Sequence, residues 1–231
     1  MSEIVFLFDV DNTLLDNDRV IADLRRYLTR AIGAASAEHY FRIFEQLREE
    51  LGYADYLGAL QRYRVAYPRD PCLLAISSYL VNYPFANRLF PSSLDVVERF
   101  AEFGPTVILT DGDVVFQPRK IERSGLDAAV GGRVLVYIHK EHELDDVAGR
   151  FPAEHYVLVD DKLHLLAAVK HAWGPRVTTV FVRQGHYAHD PAILASYPPA
   201  DLTIDRIADL LDYDIPTLLG AATASGEVKK A

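Results

Sequence analysis

A doubly wound parallel α/β core interrupted by a helical insertion is the fold class that this sequence predicts, and three observations predict it. A short apolar run, Ile4 to Phe8, ends abruptly in two carboxylates, Asp9 and Asp11. Residues 16–90 then show only helical spacing of their apolar side chains. From about residue 106 onward, strand-like runs alternate with amphipathic stretches, the pattern of a parallel sheet covered by helices on both faces.

The elements follow in order. Ile4–Phe8 is apolar throughout and, apart from Leu7, β-branched or aromatic, which reads as a short strand buried on both faces. In the insertion, Val20, Leu24, Tyr27, Leu28 and Ala31 form one helical stripe, and Tyr40, Phe41, Phe44 and Leu47 form another. Two more helices are expected at about 53–67 and 73–83, with breaks at Pro68, Pro71, Pro84 and Pro91. Strands are then expected at Thr106–Thr110, Val134–Ile138, Tyr156–Asp160 and Val177–Val182. Helices lie between them, at about 92–103, 117–124, 141–149 and 162–172, and Asp201–Ile204 is a short sixth strand. The expected organisation is a core made of 1–15 and 91–219, an inserted helical unit at 16–90, and a small, polar, flexible tail at 220–231.

Half of the 231 residues are apolar, enough for one core with a modest insertion. A formal charge of −9 argues against nucleic acid or an anionic membrane as partner. The single cysteine, Cys72, leaves no internal disulfide and fits a reducing compartment. No signal peptide or membrane span is recognisable, so a cytoplasmic location is expected. Nothing in the sequence signals oligomeric state.

Ligands of an open parallel sheet bind at the carboxyl ends of its strands, so the residues after each strand are the informative ones. They are Asp9-Val10-Asp11-Asn12-Thr13, then Thr110-Asp111-Gly112-Asp113, then His139-Lys140, then Asp160-Asp161-Lys162. Asp9 and Asp11, two apart on an extended chain, point the same way roughly 6–7 Å apart. Two such carboxylates do not both ionise cheaply without a cation, so the position calls for a metal, a shared proton, or both. Carboxylates, a hydroxyl with a glycine turn, a lysine and more carboxylates are the parts of a Mg2+-dependent phosphoryl-transfer site. Asp9, Asp11, Asp160 and Asp161 are the candidate metal-site acids, with a backbone carbonyl near Asp11 as a further ligand. Thr110, Asp111, Gly112 and Lys140 are the candidate phosphate-binding residues.

This order of motifs resembles the haloacid dehalogenase superfamily, over most of residues 4–182. FDVDNTL is similar to its first motif, LTDGD to its second, Lys140 to its third and VLVDDK to its fourth. The resemblance implies a Rossmann-like core, Asp9 as nucleophile, Asp11 as general acid/base, Thr110 as phosphate ligand and Lys140 as the site lysine. It also implies Asp161, with Asp160 beside it, in the Mg2+ shell, and a C1-type cap at 16–90 that selects a small phosphorylated substrate. Departures are Asp111 where Asn is common, and Glu141 after Lys140 where proline is common. Lys120, the first lysine of the chain, falls too early to be the site lysine.

Simpler readings hold elsewhere. Asp16, Asp18 and Asp113 read as caps or loop residues. His186 and His189 lack further metal ligands and read as a surface loop. The eight tyrosines of 16–90 read as packing residues. Among activities, the leading expectation is a Mg2+-dependent phosphatase working through an aspartyl-phosphate. A 2-haloacid dehalogenase of the same family resembles the chain at Asp9 but lacks the second aspartate. A phosphomutase differs only in the acceptor, and a phosphoryl-binding regulator without turnover is the non-enzymatic alternative.

Overall fold

Residues 2–220 are described by a computed structural model; Met1 and, from residue 221 on, the tail expected to be flexible lie outside the described residues. The first strand, β1 (Ser2–Phe8), runs in the middle of the sheet, between two parallel neighbours. The others are β2 (Thr106–Asp111), β3 (Val134–Tyr137), β4 (Ala153–Asp160), β5 (Val177–Val182) and β6 (Leu202–Ile204). All pair in parallel in the order β3-β2-β1-β4-β5-β6. The chain therefore builds outward first to one side of β1 and then to the other, and the reversal lies between β1 and β4. A crevice opens at the carboxyl ends of the strands at such a point.

Alternation along β1 explains why its sequence is apolar throughout. Phe6 and Phe8 face one core, with Ile108, Val157, Val159, Val180 and Val182 from the neighbouring strands. Val5 and Leu7 face the other, with Val107, Leu109, Leu158 and Phe181. Both faces of the central strands are covered, as period-two geometry with no polar side requires. The second core is closed by the helices around Leu144 and Val147 and by Leu163–Trp173, where Trp173 stacks on Tyr156.

Four α-helices make up the insertion after β1, before a further helix leads back into the sheet. They are α1 (Asn17–Ile32), α2 (Ala34–Leu51), α3 (Tyr56–Ala66) and α4 (Leu73–Asn82). Asp16 caps α1 by accepting from Arg19 N, and Asp55 caps α3 by accepting from Gly58 N. Their buried faces, including Leu24, Leu28, Tyr40, Phe44 and Tyr63, are continuous with the first core. Arginines on the outer faces pair locally, as in Arg25–Glu38 and Arg62–Glu50. The two chain crossings run side by side: Leu15 bridges Leu89, Asp16 N donates to Arg88 O, and Phe90 N donates to Leu14 O.

Helix α5 (Ser93–Ala101) leads into β2, and α6 (Phe116–Ser124) leaves its carboxyl end. The strands match the expected ones to within a few residues. β3 ends one residue early, because a 3-10 turn over Lys140–His142 follows it. No helix of the described residues is long and apolar enough to cross a membrane.

Candidate active site

Strand register brings the motif residues together. Phe8 lies opposite Ile108 on β2 and Val159 on β4, so Asp9 emerges beside Asp160 and close to the end of β2. Asp9 N still donates to Val159 O at 3.0 Å, which extends the ladder by one bond and fixes the carboxylate at the crevice. The 3-10 turn after β3 turns Lys140 inward, where it is fully buried. Its Nζ donates to Asp9 Oδ1 at 2.6 Å and to Leu109 O at 3.1 Å, and it lies 2.7 Å from Asp160 Oδ2. Burial alone would depress the Lys140 pKa, but Asp160, Asp9 and Asp111 outweigh it and hold the ammonium charged.

The residues expected to bind phosphate have separate roles in this geometry. Thr110 is buried, and its Oγ1 accepts from Gln117 Nε2 at 3.0 Å. Asp111, in the place where the family pattern has Asn, accepts from Lys140 N at 2.8 Å and so braces the turn that presents the lysine. Burial pushes the Asp111 carboxyl above its ordinary range. Gly112 has no room for a side chain: an added Cβ would lie 2.8 Å from Gln117 Cβ. Asp113 accepts from Val115 N and Phe116 N and so satisfies the first amide of α6 from the preceding turn.

Asp160 and Asp161 differ sharply. Asp160 accepts from Lys162 N at 2.8 Å and pairs with Lys140; burial pushes its carboxyl up to about 6. Asp161 is held from behind, its N donating to Thr13 Oγ1 at 3.1 Å, while both of its carboxylate oxygens are buried without a hydrogen-bond partner. Burial, with Asp160 and Asp9 alongside, raises its pKa well above the ordinary value. Asp9 Oδ2 is likewise buried and unpartnered. Asp9, Asp160 and Asp161 each offer an oxygen within 4.8 Å of the others. Orphaned buried carboxylate oxygens are costly, and an all-oxygen set of this kind fits a hard divalent cation such as Mg2+. The Asp11 carboxylate lies outside this group.

Asp11 points toward α6 instead. Its Oδ1 accepts from Lys120 Nζ at 2.6 Å, and its Oδ2 lies 3.5 Å from Gln117 Nε2. The turn that places it depends on Asn12, which sits at φ 62°. Asn12 Oδ1 accepts from Asn17 N and Asp18 N, and its Nδ2 donates to Asp18. Lys120, Gln117, Asn12 and Thr13 are thus site residues for which the sequence reading assigned no such role. The available signal was a lysine and a glutamine one helical turn apart, on the helix that starts just after LTDGD.

Side chains of the helical insertion close over this end of the sheet. Gly52, at the end of α2, sits against the ring of His139, which immediately precedes Lys140. His186 N and Nδ1 both bond the Asp18 carboxylate at the start of α1, at 2.9 and 2.7 Å. Arg48 of α2 donates to the hydroxyl of Tyr187. His186 is therefore a hydrogen-bond partner of the insertion, and no further metal ligand gathers around it among the described residues.

The family model described as haloacid dehalogenase-like hydrolase matches residues 5–171. No curated protein matches at a significant level. Among solved structures, a haloacid dehalogenase-like hydrolase from Burkholderia xenovorans LB400 is 61% identical, over 94% of this chain and 99% of that one, with a TM-score of 0.89. The hydrolase YfnB from Bacillus subtilis, bound to magnesium, is 17% identical over 92% and 98% of the two chains, with a TM-score of 0.59. L-2-haloacid dehalogenase from Xanthobacter autotrophicus is 18% identical over 91% and 97%, with a TM-score of 0.56. These last two are similar in fold alone.

Proposed function

The chain belongs to the haloacid dehalogenase-like hydrolases, and on that premise we propose that it is a Mg2+-dependent phosphatase of a small phosphorylated metabolite. The observation that carries this reading is the second carboxylate, Asp11, held by Lys120 at the same strand end as Asp9. Displacing a halide from carbon releases an anion that needs no proton, so that chemistry has no use for a second acid there. An ester oxygen leaving phosphorus does need one.

The residues divide the work as follows. Asp9, aimed by Lys140, attacks phosphorus; the P–O bond to the leaving group breaks, and Asp11 gives that oxygen a proton. Water then passes a proton to Asp11 and attacks phosphorus, the Asp9–phosphorus bond breaks, and inorganic phosphate leaves. Lys140 and the Thr110 hydroxyl balance the charge on the phosphoryl oxygens. Mg2+ held by Asp9 and Asp161, with Asp160 adjacent, would supply further positive charge at those oxygens. The helices of 16–90 act as a C1-type cap, and the closed arrangement of Gly52 against His139 supports that role. A reducing cytoplasm suits a chain with one cysteine.

The test is a panel of phosphate esters and 2-haloacids, run with Mg2+ and with chelator, on wild type and Asp9→Asn. Ester turnover that needs both Mg2+ and Asp9 is the expected result. Halide release without ester turnover would instead make the chain a dehalogenase, and turnover of neither class would favour a binding role.

A further inference from the structure

Three of the six lysines in the sequence, Lys120, Lys140 and Lys162, stand at the site, and Lys120 is not used by the chemistry set out above. Its side chain is fully buried on α6. Nζ donates to Asp11 Oδ1 at 2.6 Å and to Asn17 Oδ1 at 3.1 Å, and it lies 5.5 Å from the Phe116 ring centre. One turn earlier on the same helix face, Gln117 spans Thr110 Oγ1 and Asp11 Oδ2. The two carboxylate oxygens of Asp11 are therefore bracketed by residues i and i+3 of one helix.

A buried ammonium is an expensive way to fill space. Hydrophobic residues of similar volume are often as stabilising or more so. The geometry instead suits orientation: Asp11 retains a quarter of its side-chain exposure, while its partner has none, so the fixed member of the pair is the lysine. Asn17 is the first residue of α1, just after the chain crosses from the sheet into the helical insertion. The same ammonium thus touches both the carboxylate and the helix that covers it.

We infer that Lys120 is a positioning residue: through its ion pair it sets the Asp11 carboxylate where it can exchange a proton with the leaving oxygen, and Asn17 ties that placement to α1. The inference rests on the phosphatase reading. Proton donation matters most for a poor leaving group, so the readout is leaving-group dependence. Ethyl phosphate and 2,4-dinitrophenyl phosphate are compared on wild type, Lys120→Met, Lys120→Arg, Asn17→Ala, Asp11→Asn and the Asp11→Asn/Lys120→Met double variant. Lys120→Met is expected to lower kcat on ethyl phosphate by about 100-fold or more, the scale of general acid catalysis, with a change of only a few-fold on the dinitrophenyl ester. KM stays near wild type on both, Lys120→Arg recovers part of the loss, and the double variant is no slower than Asp11→Asn. If Lys120→Met does not fold, Lys120→Arg and Asn17→Ala carry the same comparison, each slower on the alkyl ester alone. Equal losses on the two esters, or no loss, overturn the role of Lys120 and leave the phosphatase reading standing. A wild type that hydrolyses neither ester, nor any in the wider panel, removes the phosphatase reading and this role with it.

Discussion

Lys140 Nζ sits 2.6 Å from Asp9 Oδ1 with both side chains out of solvent, which makes the proposed nucleophile and its counter-charge one buried unit. The lysine also pairs with Asp160 at 2.7 Å, so its single charge is shared between two strand ends. Lys140→Met leaves Asp9 and Asp160 facing each other without a cation. Breaking a buried pair in this way costs about 3–5 kcal/mol. If the proposed phosphatase chemistry holds, loss of a charge at the phosphoryl oxygens should lower kcat on the order of 100-fold or more. Urea midpoints and ester kinetics on the same preparation should show both effects, and added Mg2+ should recover part of the stability.

The two adjacent acids on β4 should part company when each is made neutral. Asp161 has two buried oxygens without partners, so Asp161→Asn relieves charge repulsion and stabilises the metal-free protein. The same change removes a proposed Mg2+ ligand, and Mg2+ should then no longer raise the melting temperature. Asp160→Asn also removes a buried charge but takes an ion-pair partner from Lys140 and weakens the bond from Lys162 N, so it should stabilise the metal-free protein less than Asp161→Asn does, yet keep much of the Mg2+ response. Thermal melts of the two variants with and without Mg2+ check this; a reversed pattern would assign the main ligand to Asp160.

A pH dependence follows from the same acids. Asp160 is raised by burial from 3.8 to about 6, and Asp161 moves in the same direction. Between about pH 4 and 6 the folded state therefore holds protons that the unfolded chain has lost, so these groups make the metal-free protein less stable as pH rises through that window. Mg2+ competes with those protons. Its stabilisation should be small at pH 5 and larger at pH 7.5, reaching about 2.7 kcal/mol at a hundredfold excess over Kd, or on the order of 5–10 °C. Melting temperatures across pH 4–8, with Mg2+ and with chelator, measure the difference directly. An Mg2+ shift that is the same at both pH values would show that the site does not bind through these carboxylates.

How much of this was legible beforehand depended on whether a residue acts through its strand or through a helix phase. Asp9, Thr110 and Asp160 follow from reading what ends each apolar run, because parallel register brings those ends to one edge. Lys140 was also legible, though not the 3-10 turn that buries it. Lys120 looked misplaced because it follows β2 on a helix, and a helical side chain can face any direction until the packing of Phe116 and Ile121 sets the phase. Thr13 and Asn12 have no assigned role in the sequence reading beyond membership of FDVDNTL, yet one holds Asp161 N and the other builds the turn after Asp11. Loop hydrogen bonds of that kind have no periodicity by which a sequence could reveal them. The contacts of Asp18 with His186 join residues far apart in the chain, and nothing local announces them.

The Asn12 turn gives the last prediction, through a glycine that packs on it. Gly185 lies at φ 72°, and a Cβ there would fall 2.4 Å from Asn12 Cβ and 2.5 Å from its Cγ. Asn12 cannot yield cheaply, because three hydrogen bonds to Asn17 and Asp18 hold its side chain. Gly125, at φ 89° with nothing within 4 Å of an added Cβ, is the matched control for backbone strain alone. Gly125→Ala should cost about 1–2 kcal/mol from the left-handed conformation. Gly185→Ala should cost a further 1–3 kcal/mol or so from the forced contact. It should also slow ester turnover, since the displaced Asn12 is the residue directly after Asp11, whereas Gly125→Ala leaves kcat near wild type. Urea denaturation gives the two costs and kcat separates the roles; equal destabilisation with unchanged kcat would mean that the Asn12 turn does not govern where Asp11 sits.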